Sequence, residues 1–307
     1  MLSDGSVDLA SLESLLDWHI ASKTDNLCIL GTTAEASLLS MSERKQVLDT
    51  VTAKVKGIIP FMVGTGTIDP TKVKDMTEQA LDCGADASLV VTPYYIKPPQ
   101  AGLVRHYLKA AEWGLPVVVY NVPGRTAVDM TDESIAIVAQ HDNVVAVKDA
   151  TGDVSRVASL GQALEEQGSS SSFLLLSGDD GSTVDFCAAG GHGCVSVTAN
   201  IVPDVMRDVV GLAVGDGDSG SIEQARLMNR NLMPLHTNLF CQANPIPAKW
   251  CLHQMGKIAT PTCREPLTEL EEQHYEKLVG AMSMVGIKTT TTTPATAEGE
   301  EGTVART

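Results

Sequence analysis

Along this chain short continuous apolar runs alternate with longer stretches whose apolar residues recur at helical spacing. Residues 8–22 place Leu9, Leu12, Leu15, Leu16, His19 and Ile20 on one helical face, which predicts an amphipathic helix. Runs rich in β-branched residues follow at 27–30, 58–63, 87–91, 117–120, 144–147, 173–176 and 194–197. Each ends in a polar or glycine-containing turn, and the stretches 70–83, 100–112, 131–140, 154–166 and 203–214 between them read as helices. Because the runs are apolar at nearly every position, they fit strands buried on both faces of a parallel sheet.

The strand ends at Thr92, Tyr120, Lys148 and Ser177 are separated by 28 (120−92), 28 (148−120) and 29 (177−148) residues. Regular β-then-α alternation over most of a chain predicts a (β/α)8 TIM barrel, an α/β fold. The pattern supplies seven strands, and too few residues precede the helix at 8–22 for another. The first strand is therefore expected to be missing from this sequence. Beyond Ser221 the β-type runs stop. Ala225, Leu227, Met228, Leu232, Leu235 and Leu239 predict a long helix, and residues 245–254 and 269–284 predict two more. The expected organisation is a barrel over 1–220, a C-terminal helical region over 221–288 and a disordered Thr-rich tail over 289–307. The serine run 169–172 reads as a loop.

Composition narrows the function without naming it. The 307 residues carry 22 Lys and Arg against 38 Asp and Glu, a net charge of −16, which argues against nucleic acid or an anionic membrane as partner. Seven cysteines form no C-x-x-C pair and fall mostly in apolar runs, which fits buried thiols in a reduced compartment. The seven histidines lack the spacing of a zinc site, so no metal is expected. No apolar run is long enough to span a bilayer, and the N-terminal residues resemble neither a secretory nor a transit peptide. The expected location is the cytoplasm, or a plastid if an N-terminal segment has been removed.

In a barrel of this kind the polar residues after the strands converge on one face. Lys148 would stand at the mouth of the fifth run, with Thr32 and Thr33 after the first, Tyr94 and Tyr95 after the third, and Tyr120 and Arg125 around the end of the fourth. Three of only five tyrosines fall in this set. A desolvated lysine there could attack a carbonyl to give a Schiff base, hydroxyls could relay protons, and a guanidinium could hold a carboxylate. Taken singly, each has a plainer explanation. Lys148 could be a strand-end lysine with its ammonium in water, Thr32 and Thr33 a turn and helix cap, Tyr94 and Tyr95 packing aromatics, and Arg125 a surface charge. Gly64-Thr65-Gly66 lacks the rest of a phosphate loop. It is their joint placement that favours chemistry.

Six blocks in order, Gly31-Thr32-Thr33-Ala34-Glu35, Thr92-Pro93-Tyr94-Tyr95, Tyr120-Asn121-Val122-Pro123-Gly124-Arg125-Thr126, Val147-Lys148-Asp149-Ala150-Thr151-Gly152, Ser177-Gly178-Asp179-Asp180 and Asn244-Pro245-Ile246-Pro247-Ala248-Lys249-Trp250, resemble the dihydrodipicolinate synthase branch of the pyruvate-dependent aldolase family. The resemblance runs from about residue 8 to 285. It implies a lyase of lysine (diaminopimelate) biosynthesis in which Lys148 forms a Schiff base with pyruvate and Tyr120 shuttles protons through Thr32 to Tyr95 of a neighbouring subunit. It further implies that Thr33 holds the pyruvate carboxylate and Arg125 that of L-aspartate 4-semialdehyde, with Gly178 and the Val195 carbonyl completing the pocket. Homo-oligomers, dimers or tetramers, and no cofactor beyond the covalent Schiff base are implied as well.

The sequence departs from that pattern in places. Ala34 replaces the usual glycine and Asp149 the usual glutamate. Members inhibited by lysine bind it at the subunit interface, and the corresponding positions here are Ala36, Met41, Arg44, Ile68 and Lys72, with Tyr94 kept. Arg44 and Lys72 would repel a cationic ligand, so weak or absent lysine inhibition is expected. Two other readings remain open: another pyruvate aldolase, such as an N-acetylneuraminate lyase or sugar-acid aldolase, and a catalytically impaired relative, because of the missing strand.

Overall fold

The computed structural model describes residues 1–169, 172–215 and 219–289. Most of the tail expected to be disordered, and the middle of the serine run, lie outside the described residues. Seven strands, β1 (Leu27–Ile29), β2 (Phe61–Gly64), β3 (Ala87–Val91), β4 (Val117–Asn121), β5 (Val144–Asp149), β6 (Leu174–Ser177) and β7 (Gly193–Cys194), form one sheet in sequence order. Every neighbouring pair is parallel. Among the described residues no strand pairs with the outer side of β1 or β7.

Side chains sort onto the two faces by the period of two that a strand imposes. Val90, Val117, Val119 and Val147 face outward into a layer with Leu103, Tyr107, Ile135 and Leu160 of the flanking helices. Met62, Leu89, Val118, Tyr120 and Ala146 face inward and pack with each other, with Cys28, Leu176 and Val195 beside them. A parallel sheet with packed helices outside and converging side chains inside is curled as in TIM-barrel-like folds.

The helices begin where local chemistry starts them. Ser40 and Glu43 form a reciprocal capping box for the helix Met41–Val55, and Asp69 caps Pro70–Asp82 with proline in its first turn. The helices Ser219–Asn238, Ile246–Gln254 and Tyr275–Met284 share a core with Pro203–Val214, in which Leu232, Leu235, Trp250, Leu278 and Met282 are buried. Trp250 stacks on Tyr275 with ring centroids 4.9 Å apart.

Several boundaries differ from the sequence reading. The run at 58–63 becomes a strand only from Phe61, because Ile58 lies in an exposed turn and Pro60, which has no N–H, offers only its carbonyl to Leu27 N. The run at 194–197 gives the two-residue β7 and then a short 3-10 turn at Thr198–Asn200. The third C-terminal helix starts at Tyr275 rather than 269, after a 3-10 turn. Gly64-Thr65-Gly66 is explained by close packing: a Cβ at Gly64 would lie 2.1 Å from the Leu30 carbonyl oxygen and one at Gly66 2.2 Å from Val91 N.

Candidate active site

β4, β5 and β6 are in register at Tyr120, Lys148 and Leu176, so the side chain of Lys148 enters the interior beside that of Tyr120. Lys148 Nζ lies 4.2 Å from the centroid of the Tyr120 ring, a cation–π distance. Among the described residues no carboxylate lies within ion-pair distance of this nitrogen. Space for the side chain comes from small neighbours. Ala146, on the same face of β5, and Ala150, just past its end, flank it, and a Cβ at Gly178 would meet Ala150 Cβ at 2.7 Å and Lys148 Cε at 3.0 Å. Cys28 faces the same interior, and burial raises its thiol above the ordinary range despite the opposing Lys148 charge. It stands as a neutral thiol beside the amine.

Thr32, Thr33, Tyr120, Arg125, Lys148, Gly178 and Val195 all line one cavity of about 420 Å³. Thr32 and Thr33 sit in the short 3-10 turn after β1, and Arg125 lies in the one-turn helix Pro123–Thr126 after β4. Arg125 is exposed and makes no ion pair among the described residues. Tyr95 is not brought to this cavity. It is 86% exposed, with a left-handed φ of 68°, in the loop after β3.

Of the positions assigned to a lysine site, Met41, Ile68 and Lys72 are exposed, Ala36 is half-buried, and the half-buried Tyr94 hydroxyl lies 3.3 Å from Thr67 Oγ1. Arg44 requires a correction. It is 2% exposed, its Nη2 donates to the Gly64 carbonyl at 2.8 Å, and burial pushes its guanidinium down to about 10. Its charge is internal and does not confront a surface ligand, which leaves Lys72 as the exposed cation among these positions.

A second set of residues comes together only in the folded chain. Glu35, 4% exposed and with φ 54°, receives Lys249 Nζ at 2.5 Å and the Arg264 backbone N–H at 2.7 Å. Asn244 Nδ2 donates to Thr33 Oγ1 at 2.9 Å. These contacts tie the two-threonine turn to the Asn244–Lys249 segment, more than two hundred residues away in sequence. Both partners lay in recognised motifs, but spacing alone could not pair them. A second network, Asn121 to Asp129 and Asp149 with Arg156 beside all three carboxylates of Asp129, Asp132 and Asp149, braces the ends of β4 and β5. No group of His, Cys, Asp or Glu among the described residues is placed to hold a metal.

A lysine amine inside a parallel α/β sheet, beside a tyrosine and facing paired hydroxyls and a free guanidinium, defines with the fold a lyase of the aldolase type. Comparison with known proteins makes the assignment specific. The chain belongs to the dihydrodipicolinate synthetase family, whose model matches residues 1–285. It is 43% identical over 287 residues to the 4-hydroxy-tetrahydrodipicolinate synthase of Teredinibacter turnerae, covering 93% of this chain and 95% of the relative. The crystal structure of the chloride-inhibited dihydrodipicolinate synthase from Acinetobacter baumannii, complexed with pyruvate, superposes with a TM-score of 0.88 at 44% identity, covering 94% of this chain and 96% of that one. The Thermotoga maritima dihydrodipicolinate synthase gives 0.87 at 36% identity, covering 93% and 95%.

Proposed function

We propose that this site condenses pyruvate with L-aspartate 4-semialdehyde to 4-hydroxytetrahydrodipicolinate, with Lys148 as the nucleophile. The observation that carries the reading is the placement of Lys148 Nζ, without a carboxylate partner, 4.2 Å from the Tyr120 ring in the shared cavity. The neutral amine adds to the pyruvate ketone, and loss of water leaves an imine. Removal of a methyl proton gives an enamine, which forms a carbon–carbon bond to the aldehyde. The substrate's own amine then attacks the imine carbon, closes the ring and releases Lys148. Tyr120, 8% exposed and against the lysine, is positioned to carry the protons these steps move. Thr33 faces the pyruvate carboxylate, Arg125 that of the semialdehyde, and Gly178 and the Val195 carbonyl close the pocket. This chemistry calls for no cofactor.

Tyr95 joins the relay through Thr32 from a second copy of the chain, so the active form is a homo-oligomer. Supporting this, Tyr95 and Ile96 are 86% and 55% exposed, and Tyr95 is held outside its own cavity. We also propose that the barrel closes as a (β/α)8 barrel, through an added strand between β1 and β7. Among the described residues both edges are unpaired, and the cavity is lined there by Leu12, Leu15, Leu16 and Leu27. The cytoplasm is the proposed location, supported by the free thiols of all seven cysteines. Among the described residues no helix is long and apolar enough to cross a membrane.

The direct test is borohydride reduction with pyruvate, which should add covalent mass at Lys148. Folded protein without an adduct overturns the assignment. Mixing inactive Lys148→Ala and Tyr95→Phe proteins should restore turnover through exchanged subunits, and failure of exchanged mixtures to do so overturns the role of Tyr95.

A further inference from the structure

We propose that Asn244 is a positioning residue that fixes the direction of the Thr33 hydroxyl proton and so makes Thr33 a donor to the substrate carboxylate. The inference rests on the Schiff-base reading above and on Thr33 as the group that meets that carboxylate. Asn244 is 6% exposed, lines the cavity, and sends Nδ2 to Thr33 Oγ1 at 2.9 Å. Thr33 Oγ1 makes no other hydrogen bond among the described residues. The amide oxygen of Asn244 is buried without a partner, so Thr33 is the contact this side chain is held to make.

The consequence follows from what a hydroxyl can do. It has one proton and two acceptor lone pairs. An amide N–H directed at the oxygen occupies an acceptor position, so the hydroxyl's own proton points elsewhere, into the cavity. Donation to the oxygen also polarises the O–H bond and makes it a stronger donor to an anion. Asparagine is specifically suited to this. An aspartate of the same shape could only accept, would draw the proton back towards itself and would repel an incoming carboxylate. An alanine would leave the hydroxyl free to rotate. The turn bearing Thr33 is independently held by Glu35 and Lys249, so its backbone does not depend on Asn244.

The test measures the pyruvate concentration that half-saturates borohydride trapping in the full chain, for the unaltered protein and for Thr33→Val, Asn244→Ala and Asn244→Asp, with circular dichroism and thermal melts as folding controls. Asn244→Asp should raise half-saturation by about tenfold or more, the scale of a hydrogen bond to a charged group. Asn244→Ala should raise it less. In the Thr33→Val background Asn244→Ala should have no further effect, and Asn244→Asp should keep only the smaller part that its charge exerts directly on the substrate carboxylate. A role in shape alone predicts the opposite order, since aspartate is the closer mimic, so an Asn244→Asp protein that traps as well as or better than Asn244→Ala overturns the inference. An undiminished effect in the Thr33→Val background overturns it too. The two readings fail separately. No adduct in the unaltered protein removes the Schiff base and this inference with it, whereas normal trapping with an indifferent Asn244→Asp removes this inference alone.

Discussion

Replacing Lys249 by methionine isolates the pair that anchors the substrate turn. Lys249 and Glu35 side chains are 13% and 2% exposed, and their charged atoms lie 2.5 Å apart. Without the cation, Glu35 keeps one donor, the Arg264 N–H at 2.7 Å, and the Thr262 carbonyl loses the 2.6 Å bond that Lys249 gave it. Breaking a buried pair from one side costs about 3–5 kcal/mol, and the surviving backbone donor places this case near 3 kcal/mol. At about 2–4 °C per kcal/mol for a chain of this class, the melting temperature should fall by roughly 6–12 °C. Urea denaturation of Lys249→Met, Glu35→Gln and the double variant measures the coupling. Because the double variant leaves no buried charge unpaired, it should be more stable than the sum of the single losses predicts, by about 2 kcal/mol or more. Simple additivity would refute the pair as the anchor. A looser turn should also raise the half-saturating pyruvate concentration in both single variants.

Gly178→Ala should lower the turnover rate strongly while costing about 1–3 kcal/mol of stability, because its Cβ would lie 2.7 Å from Ala150 Cβ and 3.0 Å from Lys148 Cε; steady-state rates near those of the unaltered protein would show that the lysine has more room than this packing gives. The Arg264 side-chain hydrogen bond, then those from Ser40, hold the Glu43 carboxyl down from 4.5 to about 2. A depressed carboxylate stabilises the fold above its unfolded value and loses that contribution as pH falls to the folded value. The melting-temperature gap between the unaltered protein and Glu43→Gln should therefore be full above about pH 5 and close towards pH 2, and a pH-independent gap would contradict it. Free lysine should inhibit weakly or not at all, because Lys72 is exposed where a cationic ligand would approach and Ile68 and Met41 offer it no acceptor. Lys72→Glu should increase sensitivity in the same rate assay, and steep inhibition of the unaltered protein would refute the argument.

Local periodicity was enough to read the strands and their order, because each buried strand is a continuous apolar run and each intervening helix shows its own face. It also placed Lys148 beside Tyr120, since equal spacing of βα units puts successive strand ends at one level of the sheet. What it could not supply were interactions that depend on closure of the chain. The Glu35–Lys249 pair and the Asn244–Thr33 bond join segments from opposite ends of the sequence, and no spacing rule relates them. Arg44 failed for a related reason. A helical arginine is most often solvent-facing, yet here the first turn of Met41–Val55 lies over the end of β2, and the Gly64 carbonyl draws the guanidinium inward.

The pattern of what is held and what is left free is itself an argument about the reaction. The strand ends carrying Tyr120 and Lys148 are clamped by Asn121, Asp149 and Arg156, and the turn carrying Thr33 by Glu35, Lys249 and Asn244. Among the described residues the groups assigned to chemistry have no such partners: Lys148 lacks a carboxylate, Arg125 lacks an ion pair, and the Thr33 proton is unclaimed. Leaving Lys148 inside the fold without a counter-charge costs stability, so its retention beside rigid neighbours fits a site organised for two incoming carboxylates, which meet the Thr33 hydroxyl and the Arg125 guanidinium that the protein leaves unengaged.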